Sequence, residues 1–384
     1  MHLTPRLILL LSLCYHAAVV ANSFAWQFEQ QFVHPLVNEI PGGALIIVDH
    51  GEVVLLRVYG VRSEEDQLPI TESTLFRIAS ISKTFASAAA AMLVQDKLVQ
   101  WQTPLLKNLD YLKFKRQDYG AEINLYHLMS QSTGLMPHAY TNLIEDNLSF
   151  ERIVNRLDEV EFICAPGECY GYQNVVFSLV GDLVRAMTAV DYETFIANKL
   201  FKPLAMSRAS FGMDAFISDE NHARPHIWTG INWAPVRTTQ HYYRVAPAAG
   251  VNASIGDMRQ WLLAHLGHKP NVFREEMLKQ LHTGAIQTTR QQAHYGDRKQ
   301  LGSVYYGLGW RVFEYAGQRG YVHHGGHVRG MRSEMVFNRD LQVGMVFLTN
   351  SEPSGVGDLI FDFIDSYREV LHDSTNNALT SVGR

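Results

Sequence analysis

The chain has 384 residues, 47% of them hydrophobic and 18% charged, an ordinary globular composition that excludes intrinsic disorder, collagen-like repeats and solenoids of charged helices. Lys and Arg number 33 against 38 Asp and Glu, a formal charge of −5, so no basic surface for phosphate backbones is expected and nucleic acid is excluded as a partner. At about 150 residues per domain, the length suits two or three compact units or one large domain with an insertion.

In chain order, Arg6 precedes an apolar run from Leu7 to Leu13 and small-residue sites at Val19-Val20-Ala21 and Ser23-Phe24-Ala25. The pattern predicts a secretory signal peptide over residues 1–25, cleaved after about residue 21 or 25, and an exported protein, periplasmic or secreted. The run is shorter than the roughly 20 apolar residues of a spanning helix, so no stable membrane span is expected. At Cys14 the preceding Leu13 is too large for a lipoprotein site. With Cys14 removed, Cys164 and Cys169 remain on either side of the turn-forming Pro166-Gly167. A disulfide and two free thiols are both open at this level, and two cysteines alone cannot make a structural zinc site.

Residues 44–49 and 52–59 are rich in Val, Ile and Leu and are joined by Asp49-His50-Gly51, which reads as a β-hairpin. Residues 82–95 are dominated by Ala, Ser, Met, Leu and Val without Pro or Gly, the pattern of a helix packed on all sides. Further helices are predicted over 176–187, 192–200 and 255–266. Strands follow at 310–314, 321–323, 332–337 and 343–349, separated by Gly or Asn/Asp turns. A last helix over 357–372 carries Ile360, Phe363, Ile364, Tyr367 and Leu371 at spacings of three and four, a stripe made to lie on a sheet. The simplest architecture is α/β (α+β): a sheet domain from both chain ends (26–100 and 300–372), an inserted, mostly helical domain (101–299) and a flexible tail (373–384), with the site in the cleft between the two domains.

Three segments can carry chemistry. Ser80 and Lys83 lie three residues apart at the start of the alanine-rich helix, so both face one side and the amine can reach the hydroxyl. A lysine desolvated among Ala and Phe has a lowered pKa and can take the proton of a serine nucleophile. Tyr172-Gln173-Asn174 follows Cys169. His323-His324-Gly325-Gly326-His327 sits on a predicted strand whose glycines would let a substrate lie against the strand edge and its N–H groups. Each segment alone also fits an ordinary capped helix, loop or strand.

Together, in this order and spacing, they resemble the active-site motifs of the class C β-lactamase, D-Ala-D-Ala carboxypeptidase and serine esterase superfamily. Leu128-Met129-Ser130-Gln131-Ser132-Thr133-Gly134-Leu135, Pro166-Gly167, Ala248-Ala249-Gly250 with Ser254 and Asp257, and Tyr306-Gly307-Leu308-Gly309-Trp310 resemble the same family, over about residues 28–370. The resemblance implies a β-lactamase/penicillin-binding-protein-like fold and a serine hydrolase without cofactor or metal. Ser80 would be acylated, Lys83 would activate it, and Tyr172 would pass the proton to the leaving group. Asn174 would hold the substrate's amide, and the backbone N–H groups of Ser80 and of His327 on an edge strand would form the oxyanion hole. The substrate would be a small molecule or peptide: a β-lactam, a D-amino-acid peptide or an ester.

The third motif departs from class C β-lactamases, which usually have Lys where this chain has His324, whereas related D,D-peptidases often have His. A histidine near its reference pKa of about 6.5 is mostly neutral at pH 7. Arg329 and Arg332 are candidates for the missing charge. A metal site on His323, His324 and His327 is disfavoured, since a strand sends His323 and His324 to opposite faces. The aromatic stretch His226, Trp228, Trp233, His241, Tyr242 and Tyr243 either rims the cleft or packs under a loop. The alternatives are a carboxylesterase on the same scaffold and a non-catalytic peptidoglycan-binding protein.

Overall fold

The computed structural model describes residues 24–382; the expected signal peptide lies outside the described residues except for Phe24 and Ala25. Both chain ends build one antiparallel sheet of eight strands: β1 (Gly42–Asp49), β2 (Glu52–Gly60), β3 (Ile286–Gln287), β4 (Leu301–Tyr306), β5 (Arg311–Tyr315), β6 (Gln318–Val328), β7 (Met331–Asn338) and β8 (Val343–Thr349). Their order is β2-β1-β8-β7-β6-β5-β4-β3. The first hairpin turns through His50 and Gly51, both at positive φ (48° and 82°), the handedness that matches strand twist across a two-residue loop.

The sheet is buried on both faces, which is why β1 reads as a continuous apolar run rather than an alternation. Ala44, Ile46 and Val48 enter the inner core against the helical region. Leu45 and Ile47 enter the outer core with Phe28, Phe363 and Tyr367. The inner core centres on α1 (Ser82–Gln95), whose residues from Ser82 to Leu93 are all buried. Alanines let neighbouring segments approach it closely, and Phe85 stacks on Trp261 of α2 (Ile255–His265) at 3.7 Å between ring centroids. Ser254 Oγ accepts from Asp257 N and Asp257 Oδ2 accepts from Ser254 N, so these two residues form a capping box for α2.

Strands β3 and β4 were not expected; Gly302 and Ser303 break the apolar run of β4, and sheet pairing with β5 supplies what local propensity does not. The last helix, α3 (Leu359–Val382), continues past His372. The region between the two sheet-forming ends holds short helices, a three-stranded sheet (76–77, 210–211, 251–253) and a hairpin (226–228, 233–235). Among the described residues, no helix is long and apolar enough to cross a membrane.

Candidate active site

The turn Ala79–Ile81 leads into α1, with Ala79 in the left-handed region at φ 48°. A non-glycine residue held there is strained, and the strain is retained at the turn that presents Ser80 to the cleft. One helical turn on, Lys83 is fully buried. Its Nζ lies 3.4 Å from Ser80 Oγ and donates to Asn174 Oδ1 at 2.7 Å and to Ala248 O at 3.1 Å. Burial, and secondarily Arg311, hold its pKa well below the usual lysine value. A neutral amine has two N–H groups and one lone pair. With the carbonyls of Asn174 and Ala248 taking the two donors, the lone pair is left for the Ser80 hydroxyl.

Tyr172 lines the same cleft as Ser80: its ring lies 4.6 Å from Lys83 Nζ, and burial raises its pKa against a smaller opposing effect of the Ser80 hydroxyl. The backbone on both sides of it is gripped by one residue. Gln131, buried and at φ 57°, accepts from Gly171 N through its main-chain oxygen at 2.8 Å. Its side chain accepts from Gln173 N at 2.8 Å and donates to Gln173 O at 3.1 Å. Upstream, Cys164 and Cys169 are joined in a disulfide, and their loop is pinned by Gly167 N to Ser132 O and Ile163 N to Gly134 O.

Strand β6 carries the third motif. It is not an edge strand of the sheet, since it lies between β5 and β7, but its pairing with β5 ends at His323. The half from His324 to Val328 therefore presents an open backbone edge beside Ser80. The glycines were expected to clear space for substrate; the structure fills that space with protein. A Cβ at Gly326 would come within 2.2 Å of Ile78 O, and one at Gly325 within 2.5 Å of Glu334 Oε2. Gly326 thus lets the turn that carries Ser80 dock on β6, where Ser333 Oγ also donates to Ile78 O.

The three histidines diverge. His323 bonds Tyr295 and, on the far face, Glu334 (2.8 Å each). His324 turns toward Lys83, with Nε2 3.3 Å from the Tyr306 hydroxyl and Nδ1 2.8 Å from Gly325 O. His327 reaches Glu352. Burial, then Arg311 and Lys83, push the pKa of His324 well below its usual value, so this ring is neutral at pH 7.

A cleft of about 450 Å³ contains Ser80, Tyr172, Asn174, Arg311 and His324. Its cation was missed in the sequence. Arg311 is 8% exposed, its guanidinium 5.9 Å from the Tyr306 ring centroid, and it donates to Gln292 O at 3.2 Å. It directly follows the Tyr306–Trp310 stretch already noted for its resemblance, so the available signal stopped one residue short. Of the two arginines proposed instead, Arg329 is exposed, while Arg332 reaches the cleft wall with a bond to Glu334 at 3.2 Å. From the aromatic stretch, only Tyr242 lines the cleft. Tyr243 is buried against Arg77 and Asn252, His226 binds Asn350 O, and Trp228 and Trp233 pack on each other in the hairpin.

The arrangement offers a nucleophile, a neutral amine, a phenol and an open strand edge around one point, the parts needed for acyl transfer. A family model described as Beta-lactamase matches residues 29–367. The chain is 24% identical over 356 residues to Protein flp of Staphylococcus aureus strain NCTC 8325, covering 89% of this chain and 66% of that protein, so it spans slightly under two thirds of that relative's length. It is 23% identical over 365 residues to a Beta-lactamase of Yersinia enterocolitica, with 87% and 86% covered. Among solved structures, the octameric penicillin-binding protein homologue from Pyrococcus abyssi superposes with a TM-score of 0.73 at 22% identity, covering 88% of this chain and 75% of that one, a likeness of fold.

Proposed function

The chain belongs to the Beta-lactamase family, and from that premise we propose that it is an exported serine hydrolase of the class C β-lactamase and penicillin-binding-protein type, cleaving a β-lactam or D-amino-acid peptide amide through a Ser80 acyl-enzyme. The observation that carries the reading is the Lys83 amine, buried and with both donors committed to Asn174 and Ala248, facing Ser80 Oγ. Ser80 gives its proton to that lone pair as Oγ attacks the carbonyl, and the oxyanion collects at the N–H groups of Ser80 and His327. Tyr172, kept protonated by its raised pKa, delivers a proton to the departing nitrogen and recovers the one that Lys83 took from Ser80. Asn174 is engaged by Lys83 through Oδ1, which leaves its N–H₂ for the substrate's amide oxygen.

His324 is neutral, but Arg311 supplies a permanent charge on the cleft wall, and this favours a substrate with a carboxylate beside the scissile bond. Export rests on the pattern of residues 1–25. Phe24 is buried against Phe363 and Tyr367, so cleavage after Ala21, which keeps Phe24, is the expected site.

The test is intact-protein mass spectrometry after incubation with a penicillin and, separately, a fluorophosphonate, on wild type and Ser80→Ala. A Ser80-dependent adduct with both supports the proposal. An adduct with the fluorophosphonate alone moves the assignment to the esterase, and none with either, alongside binding of cell-wall fragments, to a non-catalytic binder.

A further inference from the structure

Gln131 stands outside the three motifs, yet its side chain and its main-chain oxygen grip the second one from both sides. It holds both neighbours of Tyr172, while Tyr306 faces the third motif. Tyr306 is fully buried on β4, under the ring of Tyr170, and its oxygen lies 3.3 Å from His324 Nε2. The direction of each bond follows from the chemistry of the atoms. Gly325 O can only accept, so His324 Nδ1, at 2.8 Å, carries the proton and Nε2 is left as an acceptor. The Tyr306 O–H must therefore donate to Nε2.

We propose that Gln131 and Tyr306 are positioning residues for the second and third motifs: Gln131 fixes the backbone on both sides of Tyr172, and Tyr306 locks His324 as the Nδ1–H tautomer with its ring nitrogens both committed. His324 is then a fixed dipole behind the strand edge and no counter-ion for substrate, which, with Arg332 bonded to Glu334, leaves Arg311 to meet a substrate anion. The groups around His324 agree with a neutral ring: Arg311 from β5 opposes a positive charge, the buried Lys83 from α1 offers no negative one, Tyr306 is a phenol, and the carboxylate of Glu334 is turned to His323 on the opposite face. The catalytic consequence rests on the serine hydrolase reading; the wiring does not.

The experiment separates the two. Long-range ¹H–¹⁵N NMR of ¹⁵N-histidine-labelled protein, with His324 assigned through His324→Gln, should show an Nδ1–H tautomer whose shifts do not move between pH 8 and 5. In Tyr306→Phe the same ring should lose this tautomer preference or begin to titrate. An Nε2–H tautomer in wild type, a wild-type ring titrating near pH 6.5, or a Tyr306→Phe spectrum identical to wild type would each overturn the wiring, whether or not Ser80 acylates.

The second arm reads Tyr172. Gln131→Glu keeps the acceptor for Gln173 N and loses both donors, and Gln131→Met loses all side-chain bonds. Fluorophosphonate labelling of Ser80 should slow in the order wild type, Glu, Met, by about tenfold or more for Met through a lower maximal rate with little change in half-saturation. Equal maximal rates in all three remove Gln131 from the positioning role. If Gln131→Met fails to fold, the Glu variant decides: a maximal rate equal to wild type overturns the role, and a reduced one sustains it. A wild type that does not label at all, with the NMR as expected, sinks the hydrolase reading alone.

Discussion

The two faces of the large sheet are buried to a similar depth and built from different chemistry. On the outer face, aromatic rings close on one another: Phe24 on Tyr367 at 5.1 Å, Phe28 on Phe363 at 5.6 Å, Phe313 on Tyr321 at 5.5 Å. The inner face buries Lys83, Ser82, Thr84, Asn174 and His324 among its apolar residues. Burial costs a polar group free energy unless it is hydrogen-bonded, and each of these has a partner: Ser82 Oγ accepts from Val251 N, Thr84 Oγ1 donates to Ile81 O. The outer face therefore contributes stability by area. The inner face spends part of its packing on groups whose proton affinities are shifted by the dryness that packing creates.

That division can be broken from either side. The largest expected effect is at Lys83: replacement by Met should slow Ser80 acylation by about 10²- to 10⁴-fold, the range of a lost proton carrier, measured by labelling rate with circular dichroism confirming the fold. Unimpaired acylation would take Lys83 out of the mechanism. On the outer face, Phe363→Ala should lower stability by about 3–5 kcal/mol in urea unfolding while the labelling rate of the folded fraction stays at the wild-type value. A drop in that rate would mean the faces are coupled.

The pH dependence sharpens the comparison. The unfolded Lys83 titrates near the ordinary lysine value and the folded one well below it. Between those values the unfolded chain binds the proton and the native protein does not, so stability contributed through this group rises with pH across that window. Activity, which needs the neutral amine, should persist to well below the ordinary lysine pKa and fall as acid protonates Lys83. A rate that already falls as the pH drops through about 10.5 would show a normal lysine. The smallest expected effect is at the inner-face cap: Ser254→Ala should cost about 1 kcal/mol, read as a lower unfolding midpoint, and leave labelling unchanged.

Much of the site was legible because its parts are local. Ser80 and Lys83 need only a helical turn to face one another, and Tyr172 to Asn174 are adjacent. The terminal hairpin and the stripe of the last helix are likewise patterns of period 2 and 3.6. What the sequence could not show is contact at long range. Gln131 meets Gln173, and Tyr306 meets His324, across segments that share no periodicity, and Arg311 looks like any strand-initial arginine until the start of β5 places it in the cleft. The glycines were legible as a need for space; which atoms occupy it was not, since Ile78 O and Glu334 arrive from elements distant in sequence.

By itself, then, the sequence determined the terminal hairpin, the alanine-rich helix and the order of the motifs, because covalent spacing and local propensity act within a turn or a strand. The tertiary structure alone decided that Lys83 is dry, that His324 is neutral and that Arg311 is the charge beside them. Each of those states is set by the dielectric and the hydrogen-bond partners around a group, and these come from chain segments that only folding brings together.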